Sequence, residues 1–269
     1  MSADGLSAPP GFRRSLTIQR RVIAALLMRE VITRFGRNNI GVLWLLGEPM
    51  IFTLGITTLW TLAHLVHSGQ SIPIAAFAVT GYSSVLMWRN SVGHCCGAVQ
   101  QNINLLYHRN VQVTDLLITR ILLEIAGATA SFIVLACLFT AIGWLAPPVD
   151  LALVLAGWLM LAWFGFSLAM TIGSLTAYSH LVERLWHPCA YLLFPMSGAA
   201  FMVDWLPSGM QRTVQYLPMV HGVELLRKGY FGNAVRTHFD IGYMAMCCTV
   251  LTITGLFLAR DVSRRVEQE

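Results

Sequence analysis

The sequence predicts an all-α integral membrane protein: six transmembrane helices, an N-terminal amphipathic interface helix, and short re-entrant or outer helices between spans five and six. Hydrophobic residues make up 56% of the chain and charged residues only 12%, with a mean hydropathy of +0.63. Soluble domains carry about 25% charged residues. Long apolar runs recur along the chain, and arginines cluster before or between them, which is typical of membrane proteins whose cytoplasmic loops are positively charged.

The N-terminal segment, residues 1–39, is predicted to be cytoplasmic and to contain the amphipathic helix between Ser15 and Arg37. One face carries apolar residues at a spacing of four, and another carries charge: Ile23, Leu27, Val31 and Phe35 against Arg20, Glu30, Arg34 and Arg37. This pattern is typical of a helix lying in the headgroup plane. A membrane-surface helix and a docking surface for a cytoplasmic partner both fit it, and periodicity alone does not separate them.

The transmembrane domain is predicted to cover residues 40–259, followed by a cytoplasmic tail at 260–269. Its apolar runs are each long enough for a hydrocarbon core of about 30 Å: 40–66, 72–92, 118–146, 151–177, 185–203 and 241–259. The first run is too long for a signal peptide and lacks a small-residue cleavage pattern. Arginines at 109, 184, 260, 264 and 265 lie where six spans with both termini in the cytoplasm place the inner side.

The segment from Ser197 to Asp240 departs from this charge rule. Four cations fall on its predicted outer side: Arg212, Arg227, Lys228 and Arg236. Prolines and glycines divide the segment into pieces too short to span, and broken helices at membrane depth are tolerated only where protein or a wet cavity covers them. Short re-entrant or interfacial helices are therefore expected. The polar cytoplasmic segment 94–119 is read as a short projecting helix or an ordinary connecting loop.

Several function classes are disfavoured by residue types and spacing. The positive charge follows membrane topology, so no nucleic-acid partner is expected. The six Cys show no CxxC spacing and are interpreted as small buried hydrophobic residues, not as a disulfide or metal site. A membrane-embedded enzyme acting on lipid-linked sugar would need a histidine beside paired acids, but the eight His are scattered. Inverted repeats typical of secondary transporters are absent from the sequence pattern.

A few polar and aromatic residues at membrane depth are candidates for function. Glu48 lies in the first span and Arg89 near the inner end of the second, and ionisable groups there are functional candidates by default. Snorkelling to headgroups is the alternative for Arg89, and pairing with Arg89 or a neutral buried acid is the alternative for Glu48. Arg120 and Glu124, four residues apart, are predicted to form an ion pair within one helix.

Three stretches resemble a known family. They are RFGRNNIGVLWLLGEP at Arg34–Pro49, NINLLYHRNVQVTDLLITRILLE at Asn102–Glu124, and YLPMVHGVELLRKGYFG at Tyr216–Gly232. Together they resemble the membrane permeases of ABC-2 type exporters, most nearly the KpsM-type permeases of capsular polysaccharide export. The first stretch differs from the usual family wording at Arg37-Asn38 and Ile40-Gly41. The likeness extends over nearly the whole chain.

The resemblance implies a homodimer joined to two copies of a separate ATP-binding cassette ATPase, exporting a lipid-anchored acidic polysaccharide across a bacterial inner membrane. The chain has no G-x-x-x-x-G-K-[ST] phosphate loop, so it is expected to bind no cofactor itself and to leave ATP to its partner. Periplasmic or outer-membrane export proteins are possible further partners. Alternatives are a permease for O-antigen, another glycan or a drug, and more distantly a membrane-embedded glycolipid enzyme.

The same resemblance assigns residues to two roles. Aromatic rings stack on the C–H faces of sugars, and arginine suits anionic groups, which together with the family likeness gives a substrate conduit of Trp44, Glu48, Trp88, Arg89, Trp186 and Tyr191. For each of the three tryptophans, packing between helices is the alternative to substrate contact. Coupling to the ATPase is assigned to the N-terminal helix and the cytoplasmic segment, with Arg29, Arg34, Arg37, Asn102, Asn104 and Arg109. No catalytic residue and no metal ligand is expected.

Overall fold

The computed structural model describes residues 12–35, 47, 50–59, 73–106 and 111–266, and the regular elements in these ranges are helices. In chain order they are α1 (Phe12–Phe35), α2 (Met50–Leu59), α3 (Ile74–Cys95), α4 (Ala98–Gln101), α5 (Ile103–Leu106), α6 (Val113–Ala141), α7 (Leu151–Tyr178), α8 (His180–Met196), α9 (Ser208–Val214), α10 (Pro218–Phe231) and α11 (Ile241–Val266). Two 3₁₀ turns lie at Val203–Trp205 and Gly232–Ala234. The all-α prediction is confirmed.

Within the described ranges, three helices are long and apolar enough to cross a membrane by length and composition: α6, α7 and residues Ile241–Arg265 of α11. The helix α2 is apolar but short. The helix α8 covers 180–196, whereas the predicted span was 185–203. It ends early because Pro195 occupies its last turn and Gly198, at φ +82°, adopts a left-handed conformation that continues no helix.

Contacts between helices fix their relative directions. The ring contacts Trp88–Trp186 and Tyr82–Phe194 show that α8 runs antiparallel to α3. Hydrogen bonds join Trp163 Nε1 to Thr252 and the Tyr178 hydroxyl to Asp261, so α7 and α11 run in the same direction. The bond from Trp158 Nε1 to Thr129 and the approach of Leu117 to Gly173 make α6 antiparallel to α7. The close approaches of Gly165 to Trp88 and of Gly173 to Cys95 make α3 parallel to α7.

Local sequence explains where these helices begin. Gln112 and Asp115 form a capping box at the start of α6, and the Asp150 carboxylate accepts hydrogen bonds from the backbone amides of Ala152 and Leu153 at the start of α7. Ser179 is the single residue between α7 and α8, and its hydroxyl accepts a hydrogen bond from the Leu181 amide. The turn from α7 into α8 is therefore sharp and capped.

The short helices α9 and α10 lie in the segment where broken helices were predicted. The helix α10 packs antiparallel against the first half of α7, with Gly229 beside Val154 and Gly157 beside Leu226. A Cβ on Gly157 would lie 2.6 Å from the Leu226 backbone nitrogen, so this close approach requires glycine. The helix α10 begins near the level of Leu161 and ends beside Asp150, so it lies along only about a third of α7. The chain then reverses direction into α11, which runs parallel to α7.

The cysteine interpretation is partly corrected. All six Cys are free thiols in the structure, and Cys95, Cys96 and Cys248 are buried. Cys137 and Cys189, however, are exposed on the outsides of α6 and α8. A sequence pattern identifies an apolar helix but does not say which of its faces meets another helix.

Candidate functional site

Four of the conduit candidates lie together along the seam between α3 and α8. Trp88 is fully buried and Trp186 is 7% exposed, and their rings meet edge to face at a centroid distance of 6.4 Å. Phe164 of α7 packs against Trp88 at 6.1 Å. Within this chain, Trp88 and Trp186 are therefore core residues that join α3, α7 and α8.

Arg89 and Tyr191 form the exposed part of this seam. The Arg89 guanidinium carbon lies 4.6 Å from the centroid of the Tyr191 ring, within the range of a cation–π interaction. Tyr191 is 65% exposed and Arg89 is half-buried. Cys95 ends α3 six residues after Arg89, which places Arg89 about 9 Å from that end along the helix axis. The pair thus presents a cation and an aromatic ring on the surface of the helix bundle.

A polar cavity of about 380 Å³ lies at the C-terminal end of α3, among α1, α4 and α6. Its lining is mostly polar and includes Arg29, Glu30, Thr33, Gly93, His94, Cys96, Gln101, Asn102 and Arg120. Burial, with a smaller contribution from the nearby charge of Glu183, raises the pKa of the Cys96 thiol to about 12. Cys96 is therefore a protonated thiol at neutral pH and is not a reactive nucleophile.

An ion pair and a histidine–carboxylate contact between helices border this cavity. Arg120 Nε of α6 lies 3.1 Å from Glu30 Oε1 of α1, and both residues are buried. Glu124 Oε1 lies 2.9 Å from His94 Nδ1 of α3. The predicted pairing of Arg120 with Glu124 inside one helix is thus corrected, because each side chain reaches a partner on another helix. Glu30 was also placed on the wrong face of α1: it lies on the inward side beside Leu26.

The structure joins two of the predicted coupling residues directly. Arg29 Nη1 of α1 donates a hydrogen bond of 3.2 Å to Asn102 Oδ1, and the Asn102 amide donates to the Ala98 carbonyl oxygen. Nearer the start of α1, Gln19 Nε2 donates to Asp115 Oδ1 of α6. Asn102 is buried, so it positions the corner between α4 and α5, while Asn104 is exposed there.

A second buried ionic group lies on α10, where the sequence showed only an exception to the charge rule. Arg227 is fully buried, and its guanidinium donates hydrogen bonds of 2.7 Å to the carbonyl oxygens of Gly198, Ala199 and Phe201. It also stacks on the ring of Phe77 of α3 at 3.8 Å. The unpaired carbonyls after α8 explain why a cation lies here.

Glu224, one helical turn before Arg227, binds the backbone on either side of α10. Its carboxylate accepts hydrogen bonds from the amides of Val203 at 3.2 Å and His238 at 3.0 Å. Sequence reasoning missed this pair as a unit. The available signal was an acid and a base three residues apart in a segment whose positive charge contradicted the topology rule.

Some of the predicted site residues cannot be placed. Trp44, Glu48, Arg37 and Arg109 lie outside the described residues, as does the side chain of Arg34. The hypothesis that Glu48 pairs with Arg89 therefore stays a prediction.

Comparison with known proteins assigns the family. A family model described as ABC-2 type transporter matches residues 21–231. The chain is 42% identical over 258 residues to the capsule polysaccharide export inner-membrane protein CtrC of Neisseria meningitidis serogroup A, covering 96% of this chain and 97% of CtrC. It is 40% identical, with the same coverage, to the capsule polysaccharide export inner-membrane protein BexB of Haemophilus influenzae. It is 24% identical over 252 residues to the polysialic acid transport protein KpsM of Escherichia coli, covering 92% of this chain and 96% of KpsM. The chain therefore belongs to the ABC-2 type transporter family.

Proposed function

We propose that this chain is the membrane permease subunit of an ATP-driven exporter of capsular polysaccharide in a bacterial inner membrane. The observation that carries the proposal is its identity of about two residues in five, over nearly the full length of both chains, to inner-membrane proteins named for capsule polysaccharide export. Two copies of the chain would associate with a separate ATP-binding cassette ATPase. Neither the ATPase nor the second copy is part of the chain itself.

The six-span arrangement belongs to this proposal. The alternating directions of α3, α6, α7, α8 and α11 support it, because consecutive crossings of a bilayer must alternate. The apolar helix α2 would belong to the first span, in residues 40–66. With both termini in the cytoplasm, the cavity beside α1 and α4 faces inward and α10 lies in the outer half of the membrane.

In this arrangement the Arg89–Tyr191 pair would contact the substrate. An anionic phosphate or carboxylate suits the planar guanidinium, and the exposed Tyr191 ring offers a flat surface along which a sugar can slide. Trp88 and Trp186 would serve this pair from behind, by holding α3 and α8 in register. The remaining conduit wall, including Trp44 and Glu48, would come from the first span and from the second copy.

The proposal is tested by complementation in a capsule-producing bacterium that lacks its own capsule export inner-membrane protein. The chain is expected to restore surface polysaccharide when produced with its ATPase, and to co-purify with that ATPase from detergent. A catalytically inactive ATPase is the matched control and should abolish export while preserving the complex. ATP turnover by the purified chain alone, or restored export without any ATPase, would contradict the proposal. Export of a drug or an O-antigen instead would show that the chain serves one of the alternative substrates.

A further inference from the structure

We infer that Arg120 is a positioning residue that links α1, the end of α3 and α4. Through these contacts, a movement of α1 is transmitted to the transmembrane helices. The inference rests on the proposed function, because it needs an ATPase that acts on α1 and the α4–α5 corner. It assigns the transmission to a residue of α6, which is not among the coupling residues that the family resemblance implies.

Among the described residues, the guanidinium of Arg120 contacts three separate elements. Nε lies 3.1 Å from Glu30 Oε1 of α1 as a charge pair outside hydrogen-bond geometry. Nη1 donates to the His94 carbonyl oxygen at the end of α3 at 2.7 Å, and Nη2 donates to Gln101 Oε1 of α4 at 3.3 Å. A rigid, planar fork with five donors can satisfy several partners at once in fixed directions. Lysine keeps the charge but does not reproduce this geometry.

Burial makes this connection selective. Arg120 is 7% exposed and Glu30 is 6% exposed, so both charges are largely shielded from bulk water in the packed bundle. Separating a buried ion pair is strongly unfavourable, because each charge is left without compensation. The contacts of Arg29 with Asn102 and of Gln19 with Asp115 hold α1 at two other points along its length. A displacement of α1 therefore carries α6 and the α4 corner with it.

The cavity of about 380 Å³ beside the pair gives this unit room to move. It is lined by polar groups rather than by packed apolar side chains, so a small shift of α1 does not break the apolar core. The neighbouring His94–Glu124 pair, at 2.9 Å, faces the same region and holds the end of α3 against α6. These features place a firm connection next to a compliant space.

The test uses the full complex of chain and ATPase in membrane vesicles and compares Arg120→Lys, Glu30→Gln and Gln101→Ala with the unmodified chain. We expect the ATPase to co-purify normally and to hydrolyse ATP within about twofold of normal, while polysaccharide export per ATP falls about tenfold, within the range of roughly 5- to 150-fold typical of coupling between sites. The matched control is Arg265→Lys, because Arg265 forms an ion pair of the same length, 3.1 Å, with Asp261 but is exposed.

The ratio of export to hydrolysis separates this role from a purely structural one, which would lower recruitment, hydrolysis and export together. Normal export by Arg120→Lys, or a loss of recruitment that parallels the loss of export, would overturn the inference. If Arg120→Lys fails to accumulate in the membrane, Gln101→Ala decides, because Gln101 is exposed and carries no charge: normal export would again overturn it. A failure of the unmodified chain to bind the ATPase would instead refute the proposed function.

Discussion

Arg89 shows how much one side chain on a helix surface depends on its neighbour. Its guanidinium lies over an exposed tyrosine ring of another helix, at 4.6 Å from the ring centroid. Snorkelling toward headgroups would not require that stacking, whereas recognition of an anionic sugar would use both groups at once. The contact gives the substrate hypothesis a second residue, Tyr191, which can be tested independently of charge.

We predict that Arg89→Lys lowers export several-fold and that Arg89→Ala abolishes it, because lysine keeps the charge but loses the planar donors and most of the stacking. A loss of about 0.5–2 kcal/mol is expected for a cation–π contact. Tyr191→Phe, which keeps the ring, should export nearly normally, and Tyr191→Leu should resemble Arg89→Lys. The measurement is export rate normalised to the amount of chain in the membrane. Full export by Arg89→Lys would favour the snorkelling interpretation.

Among individual residues, the sequence identified unusual charges but not their partners. The spacing of Arg120 and Glu124 is correct for neighbours on one helix surface, yet Glu30 and His94 lie closer to the charged atoms they pair with. Helical periodicity reports only neighbours within the same helix. Glu30 of α1 is 90 positions from Arg120, and His94 of α3 is 30 positions from Glu124. Only the packing of the helices brings these residues together.

The helix α10 shows how a helix is fixed by contacts on both of its sides. The helix α10 packs against α7 through glycines, and its Arg227 reaches across to α3 and to the carbonyls after α8. At Gly81 of α3, the Ala199 carbonyl and the Arg227 side chain both approach α3 closely. A Cβ there would collide with the Ala199 carbonyl oxygen and lie 2.6 Å from Arg227 Nη2.

We therefore predict that Gly81→Ala destabilises the chain by about 1–3 kcal/mol, the usual cost of overpacking a filled site. The control is Gly93→Ala in the same helix, where a Cβ meets no atom within 4 Å. That change should be neutral or stabilising by up to about 1 kcal/mol, because alanine favours the helix. Thermal unfolding of the purified chain in detergent compares the two. Equal stability of both variants would contradict the packing described for α3, α8 and α10.

For the whole molecule, topology is the property that separates the two polar regions. We predict that Asn233→Cys is labelled by an impermeant thiol reagent from outside the inner membrane and Asn104→Cys only from the cytoplasm, since both positions are exposed on the chain. The background replaces by alanine the native cysteines that are not buried, Cys137, Cys189 and Cys247. Labelling of Asn233→Cys solely from the cytoplasm would refute the six-span arrangement.

Cys96 provides an internal control for that experiment. Its pKa, raised to about 12 chiefly by burial, keeps the thiol protonated throughout the neutral range. Because the thiolate is the reactive form, reaction should begin only as the pH approaches that pKa, and no labelling is expected near pH 7. Labelling of Cys96 in membranes at neutral pH would indicate that the bundle had opened during preparation.

The sequence by itself determined the class of the molecule, because low charge and long apolar runs are properties of composition and order that the bilayer selects directly. It also located the broken segment at 197–240 and the family likeness, which depend on local residue patterns. Only the tertiary structure decided that Trp88 and Trp186 are core residues, that Glu30 faces inward to Arg120, and that Arg227 closes the carbonyls after α8. Those facts depend on which faces of which helices meet, and an almost uniformly apolar helix carries little periodic signal to specify its neighbours.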